Sequence, residues 1–172
     1  DSSRFDYVGD EERLIENIKQ LSPRDVDGYR RLAQHAREIF NVGYTELADE
    51  PFDSFASMLR VAPDMIKLQN YRSVYGLVSK YIKDERLRMA FSFEPLLVGG
   101  NPTKITSIYL LIHWLKRKWG VHFAKGGTTA LVDALRRLLL KKGATIFTNA
   151  SINRIEVQNG KVKRVYTKDE RS

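Results

Sequence analysis

Apolar residues recur every three or four positions through the first two-thirds of the chain, and near its end that period shortens to two. Leu14, Ile15, Ile18 and Leu21 make one stripe, with Asp10 standing where an N-cap is needed. Ser22-Pro23-Arg24-Asp25 reads as a second helix start: a serine N-cap, proline at the first helical position and an acid at the third. Val26, Tyr29, Leu32, Ala33, Ala36, Ile39 and Phe40 share the stripe that follows, so this helix is expected to reach about Asn41 or Tyr44. Pro51 and Asp53 restart a short helix through Phe55, Met58 and Leu59, and Pro63 is expected to break it. Further helices are expected at about 64–70, 72–82, 84–92 and 104–119.

The pattern changes after Gly120. Val121-His122-Phe123 is short and β-like. Lys125-Gly126-Gly127 then leads into a helix expected to turn Leu131, Leu135, Leu138 and Leu139 inward. Lys141-Lys142-Gly143 closes it, with cations at the negative end of the helix dipole and glycine beyond the last turn. Thr145 to Thr148 is β-branched and aromatic. Ile152 to Val157 and Lys161 to Thr167 flank Gln158-Asn159-Gly160, and Asn-Gly between two β-rich runs predicts a hairpin with a tight primed turn.

Composition narrows the function classes. The 172 residues include no cysteine, which excludes disulfides and thiolate sites, and the three histidines (His35, His113, His122) lack metal-ligand spacing, so no metal is expected. The longest apolar run, Ile105 to Leu115, is broken by Thr106, Ser107 and His113 and falls short of the roughly 20 residues a spanning helix needs. No charged-then-apolar signal region opens the chain, so a cytoplasmic location is expected. A net charge of +8 suits a nucleic acid, an anionic membrane surface, or a piece of a more balanced whole. The basic residues are scattered and no nucleic-acid fold signature accompanies them, which argues against nucleic acid. A non-catalytic basic helical module on an anionic surface, and a purely structural interaction domain, are the alternatives to an enzyme.

Several residues have two readings on local grounds. Gly126 and Gly127, between a short strand and a helix, let a ligand approach the backbone or simply permit a tight turn. Ile152 reads as an inward strand residue. Arg60, after the amphipathic run FDSFASMLR, reads as a surface cation near a helix end. Asn101 in Gly99-Gly100-Asn101-Pro102 reads chiefly as a cap for the next helix. Glu94 stands among apolar residues, either partly buried or reaching to water.

The string from Tyr71 to Pro102, YRSVYGLVSKYIKDERLRMAFSFEPLLVGGNP, closely resembles the middle of the bacterial and fungal phytoene desaturases. These are FAD-dependent enzymes that put double bonds into carotenoid precursors. SPRDVDGYRRL at 22–32 and WLKRKWGVHFAKGGTTALVDAL at 114–135 extend the resemblance over nearly the whole chain. It implies an α+β, mainly helical fold: residues 1–120 as a helical substrate-binding, membrane-facing domain and 121–172 as a βαββ piece of an FAD-binding domain. The family's N-terminal GxGxxG fingerprint and its second flavin-binding segment are missing, so the resemblance implies an internal fragment on which FAD is not expected to stay bound. It also implies that Gly126 and Gly127 lie near the flavin, with Ala124 where the family usually has proline. Ile152 would offer backbone N–H and C=O to the adenine. Arg60 matches the arginine of an Asp-x-x-Arg pair proposed to handle protons near the flavin. Ser57 replaces the acid, so Arg60 is left to orient or stabilise charge. The implied partners are a lipophilic carotenoid precursor and, peripherally, a membrane surface, chiefly through 40–60.

Overall fold

Asp10 accepts a hydrogen bond from the Arg13 N–H and starts α1, Glu11–Leu21, which buries Leu14 and Ile18. The structure, a computed structural model, describes residues 4–46 and 54–168. A 3₁₀ turn, Pro23–Asp25, leads into α2, Val26–Phe40, whose predicted stripe from Tyr29 to Phe40 is buried almost without exception. A π-helical stretch, Asn41–Glu46, prolongs it. The start signal acts differently from the reading of the motif. Ser22 caps nothing through its side chain and instead donates to Asp25 Oδ2 at 2.8 Å.

Pro51 and Asp53 lie outside the described residues; Ser54 caps α3, Phe55–Lys67, in a reciprocal box with Ser57. Pro63 does not break this helix. The carbonyl its missing N–H would have engaged belongs to Leu59, and both residues lie on the exposed side, where water satisfies the freed oxygen. The helices expected at 72–82 and 84–92 are α4, Val74–Tyr81, and α5, Glu85–Ser92. A 3₁₀ turn, Glu94–Val98, ends at Gly99.

The helix expected from 104 starts later, as a 3₁₀ turn Ser107–Leu110 continuing into α6, Leu111–Trp119. The residues before it are extended because α4 needs them. Its first N–H groups, from Val74 and Tyr75, donate to the Ile105 and Pro102 carbonyls, and the Ser107 N–H returns to the Arg72 carbonyl. Asn101 organises this turn by accepting from Thr103 rather than capping a helix.

These helices make the unit Asp1–Val121, whose core joins Tyr29, Leu32, Ile39, Leu77, Ile82, Leu87, Phe91 and Leu110. Gly28 sets the contact between α2 and the end of α4. A Cβ there would stand 2.1 Å from the Tyr81 carbonyl oxygen, and both nearest atoms are backbone. Gly28→Ala is therefore expected to cost about 2 kcal/mol, after its helix-propensity gain, in urea denaturation. Gly9→Ala, whose Cβ meets nothing within 4 Å, is the neutral control.

The second unit, His122–Ser172, contains α7, Gly127–Lys141, and the antiparallel strands β1, Ile152–Gln158, and β2, Lys161–Thr167. Asn159 and Gly160 both have positive φ, as the predicted primed turn requires. Two expectations fail here. Val121–Phe123 is not a strand, so the unit is αββ rather than βαββ, and Thr145–Thr148 forms none either. Neither segment finds a ladder partner among the described residues, and a lone extended segment gains nothing by becoming a strand. Leu131, Leu135, Leu138 and Leu139 are not inward: each is about half exposed, and no described residue of this unit is buried.

Candidate functional site

Arg60 lies on the exposed surface of α3 and has no hydrogen-bond or ion-pair partner among the described residues. Ser57, one turn earlier, is buried and fully committed. Its Oγ donates to the Ser54 carbonyl at 2.7 Å and accepts from the Ser54 N–H, while its own N–H donates to Ser54 Oγ at 3.2 Å. A hydroxyl at this place stabilises the helix start and takes up no proton. Arg60 thus offers a guanidinium that forms no ion pair among the described residues, with a serine rather than an acid one turn earlier.

Gly126, Gly127 and Ile152 belong to the second unit. Gly126 (φ 84°) and Gly127 (φ 82°) are both left-handed, so any side chain would be strained there. Gly126 is the N-cap of α7 and brings no side chain to it, and a Cβ at Gly127 would meet open space. The Gly127 N–H donates to the Ala124 carbonyl at 2.9 Å, and no side chain caps the positive end of this 15-residue helix, a setting that suits a phosphate. Ile152 opens β1 and is half exposed rather than an inward strand residue. β1 pairs with β2 on one edge only, leaving backbone groups on its other edge without a strand partner among the described residues. Both features fit parts of a dinucleotide; the described residues supply no second phosphate turn beside them.

The first unit holds polar chemistry that local patterns did not disclose. Glu94 is completely buried and Lys116 Nζ lies 2.7 Å from its Oε1, so it neither reaches to water nor stands alone. Lys116 also sits 4.8 Å from the centroids of Tyr7 and Phe93. The Tyr7 hydroxyl lies 2.5 Å from His113 Nδ1 and 3.5 Å from Glu94 Oε1. His113 is completely buried, and desolvation, with the nearby Arg117 and Lys116 charges, pushes its pKa down to about 3, so the ring is neutral. Glu94 Oε2, His113 Nε2 and the Tyr29 hydroxyl are buried with no hydrogen-bond partner among the described residues. Sequence separations of 87 and 106 residues hide this cluster from periodicity; the only signals were an acid and a histidine inside apolar runs.

Two cavities lie along α2. One, of about 370 Å³, is lined by Glu38, Asn41, Val42, Asp64, Lys67 and Leu68; the other, of about 270 Å³, is lined by Arg31, His35, Tyr81 and further polar residues. Charged walls of this kind do not suit a hydrocarbon, whose burial against them would strip water from ions without replacement. No cluster among the described residues can hold a metal ion.

Over 167 residues, 97% of its length, the chain is 48% identical to the phytoene desaturase (lycopene-forming) of Pantoea ananas. This chain is a relative of the phytoene desaturases. The phytoene desaturase (neurosporene-forming) of Rhodobacter capsulatus is 34% identical over 170 residues, which cover 98% of this chain and 32% of that protein. A 4,4'-diapolycopen-4-al dehydrogenase of Metabacillus indicus is 29% identical over 157 residues, 90% of this chain and 32% of that protein. The chain therefore spans about one third of the length of the curated relatives it matches, 34% for the Pantoea ananas phytoene desaturase. No family model matches it.

Proposed function

We propose that the chain is an internal segment of an FAD-dependent carotenoid desaturase of the phytoene desaturase type, which dehydrogenates a C30–C40 isoprenoid polyene. The observation that carries this reading is 48% identity, across 97% of the chain, to a phytoene desaturase. In this reading residues 1–120 belong to the helical substrate-binding domain and residues 121–172 to the FAD-binding domain. FAD, when bound, supplies the two-electron acceptor for hydrogens leaving neighbouring carbons. The glycine turn at Gly126 and Gly127 and the first turn of α7 would hold part of the dinucleotide, and Ile152 would meet the adenine through its backbone. Arg60 would orient or stabilise charge where the proton departs, because Ser57 cannot take that proton.

The test is turnover by the full-length enzyme with phytoene in lipid vesicles, read as the absorbance of newly conjugated product. Absence of any product with FAD saturating would overturn the reading. Arg60→Ala is expected to lower turnover on the order of 100-fold while leaving the melting temperature unchanged, since the side chain packs on nothing described. Ser57→Asp keeps an acceptor for the Ser54 N–H and restores the acid but loses the donor to the Ser54 carbonyl, so it is expected to raise turnover at some cost in melting temperature.

No helix among the described residues is long and apolar enough to cross a membrane. We also propose peripheral contact with an anionic bilayer through the helical unit. The support is the exposed apolar face of α3, where Phe55, Met58, Leu59 and Ile66 recur at helical spacing beside Arg60 and Lys67. Phe52, in the same stretch, lies outside the described residues. Flotation of the full-length enzyme with anionic liposomes is expected to be weakened but not abolished by high salt, and reduced by Phe55→Ser with Met58→Ser. Complete release by salt alone would remove the insertion component.

A further inference from the structure

The described residues before Asp10, Arg4 to Gly9, form no helix or strand, yet they are fastened to the unit through side chains. Phe5 and Tyr7 pack on Phe91 with ring centroids 5.9 and 5.8 Å apart, and Tyr7 also meets the edges of Phe93 and His113. Asn17 Nδ2 donates to the Asp6 carbonyl, and the Arg117 guanidinium donates to the carbonyls of Val8 and Gly9 at 3.4 and 3.1 Å. At the centre, the Tyr7 hydroxyl joins His113 to the buried Glu94–Lys116 pair.

We infer that Tyr7, His113, Glu94 and Lys116 form a latch that pins the Phe5–Gly9 segment onto the helical unit and opens as the medium becomes acidic. No backbone ladder holds this segment, so its attachment depends on side-chain contacts, and the Tyr7–His113 bond is the polar contact in the middle of its aromatic packing. The Tyr7 hydroxyl and His113 Nδ1 share a hydrogen bond at 2.5 Å, and a doubly protonated ring would need acceptors for both of its N–H groups, whereas the buried Nε2 has none among the described residues. The charges facing His113 come from every neighbouring element. α6 itself brings Lys116 and Arg117, the 3₁₀ turn brings Glu94, already engaged by Lys116, and α2 brings Tyr29, whose phenol burial keeps protonated. Glu11 of α1 acts on Tyr29, and Tyr7, likewise held protonated by burial, comes from the segment. A proton on His113 would put a third cation beside Lys116 and Arg117 in a place without water.

The direction follows from linkage. The latched ring binds a proton only near pH 3, whereas a ring freed into water binds it near its ordinary value of 6.5. The latch is therefore at full strength above about pH 6.5 and weakens steadily as pH falls below it, because the open state takes up the proton first.

These 172 residues contain no cysteine, so with any cysteine elsewhere in the full-length protein replaced by serine, Arg4→Cys accepts a single nitroxide label at a position whose side chain is 85% exposed. In the full-length protein the slow component of the electron paramagnetic resonance line is expected to dominate at pH 7.5. The mobile fraction should rise at least fivefold by pH 4.5, while the helical circular dichroism holds. Tyr7→Phe keeps the ring and removes only the hydroxyl, so its label should already be mobile at pH 7.5 and show no step. A line shape independent of pH, a loss of helix in parallel with the mobility, or a Tyr7→Phe variant like its parent would each overturn the latch.

Discussion

Asp25→Ala is expected to lower the stability of the helical unit by about 4 kcal/mol. The carboxylate is completely buried and accepts three hydrogen bonds: Lys83 N–H at 2.6 Å, Asp84 N–H at 2.8 Å and the Ser22 hydroxyl at 2.8 Å. It thereby ties the turn before α2 to the connection between α4 and α5, nearly 60 residues away. Truncation leaves two part-buried backbone donors without their acceptor, each costing about 1–3 kcal/mol, and forfeits charge-assisted bonds. Thermal unfolding should fall by roughly 15 °C. Asp25→Asn keeps an acceptor for one donor but turns its own N–H₂ toward the other, so it should recover less than half of the loss. A drop below about 1 kcal/mol for Asp25→Ala would mean that water takes the carboxylate's place.

Lys116→Met comes next, with an expected loss of about 3–5 kcal/mol, because it leaves the Glu94 carboxylate buried beside nothing positive within contact. The informative comparison is the double replacement Glu94→Leu with Lys116→Met. Removing both charges spares the desolvation of each, so stability in urea should return to within about 1 kcal/mol of the parent. A double variant as unstable as the single one would show that the pair, rather than the absence of stranded charge, supports the fold.

The two results bear on what sequence reasoning reaches. Positions of α1, α2, α4, α5 and the hairpin were legible because each rests on near neighbours: Asp10 before an apolar stripe, the 3.6-residue period from Val26 to Phe40, Asn-Gly between two β-rich runs. Pro63 and the late start of α6 were not, because exposure of Leu59 and the demands of α4 on the Pro102 and Ile105 carbonyls are properties of the folded surface. Asp25 was read as a helix-start acid, although its partners lie at Lys83 and Asp84. For the candidate site, Arg60, Gly126, Gly127 and Ile152 were reached only through resemblance to a family. The structure adds that Ser57 is occupied as a cap and that both glycines need their left-handed backbone. The cluster around His113 joins the beginning of the chain to α6, and no window of neighbouring residues contains it.

The bare second unit has a calorimetric consequence. A protein's unfolding heat capacity comes from apolar surface newly wetted on melting, and α7 and the hairpin already show theirs to solvent, with Leu131, Val132, Leu135, Ile155 and Val157 all more than half exposed. Heating this part of the chain by itself should yield a broad, shallow trace instead of a sharp endotherm. A sharp endotherm from these residues requires other polypeptide to cover them. Until then the open edge of β1 is a template for pairing with a second molecule, so chaperone occupancy during synthesis should be greatest over this stretch.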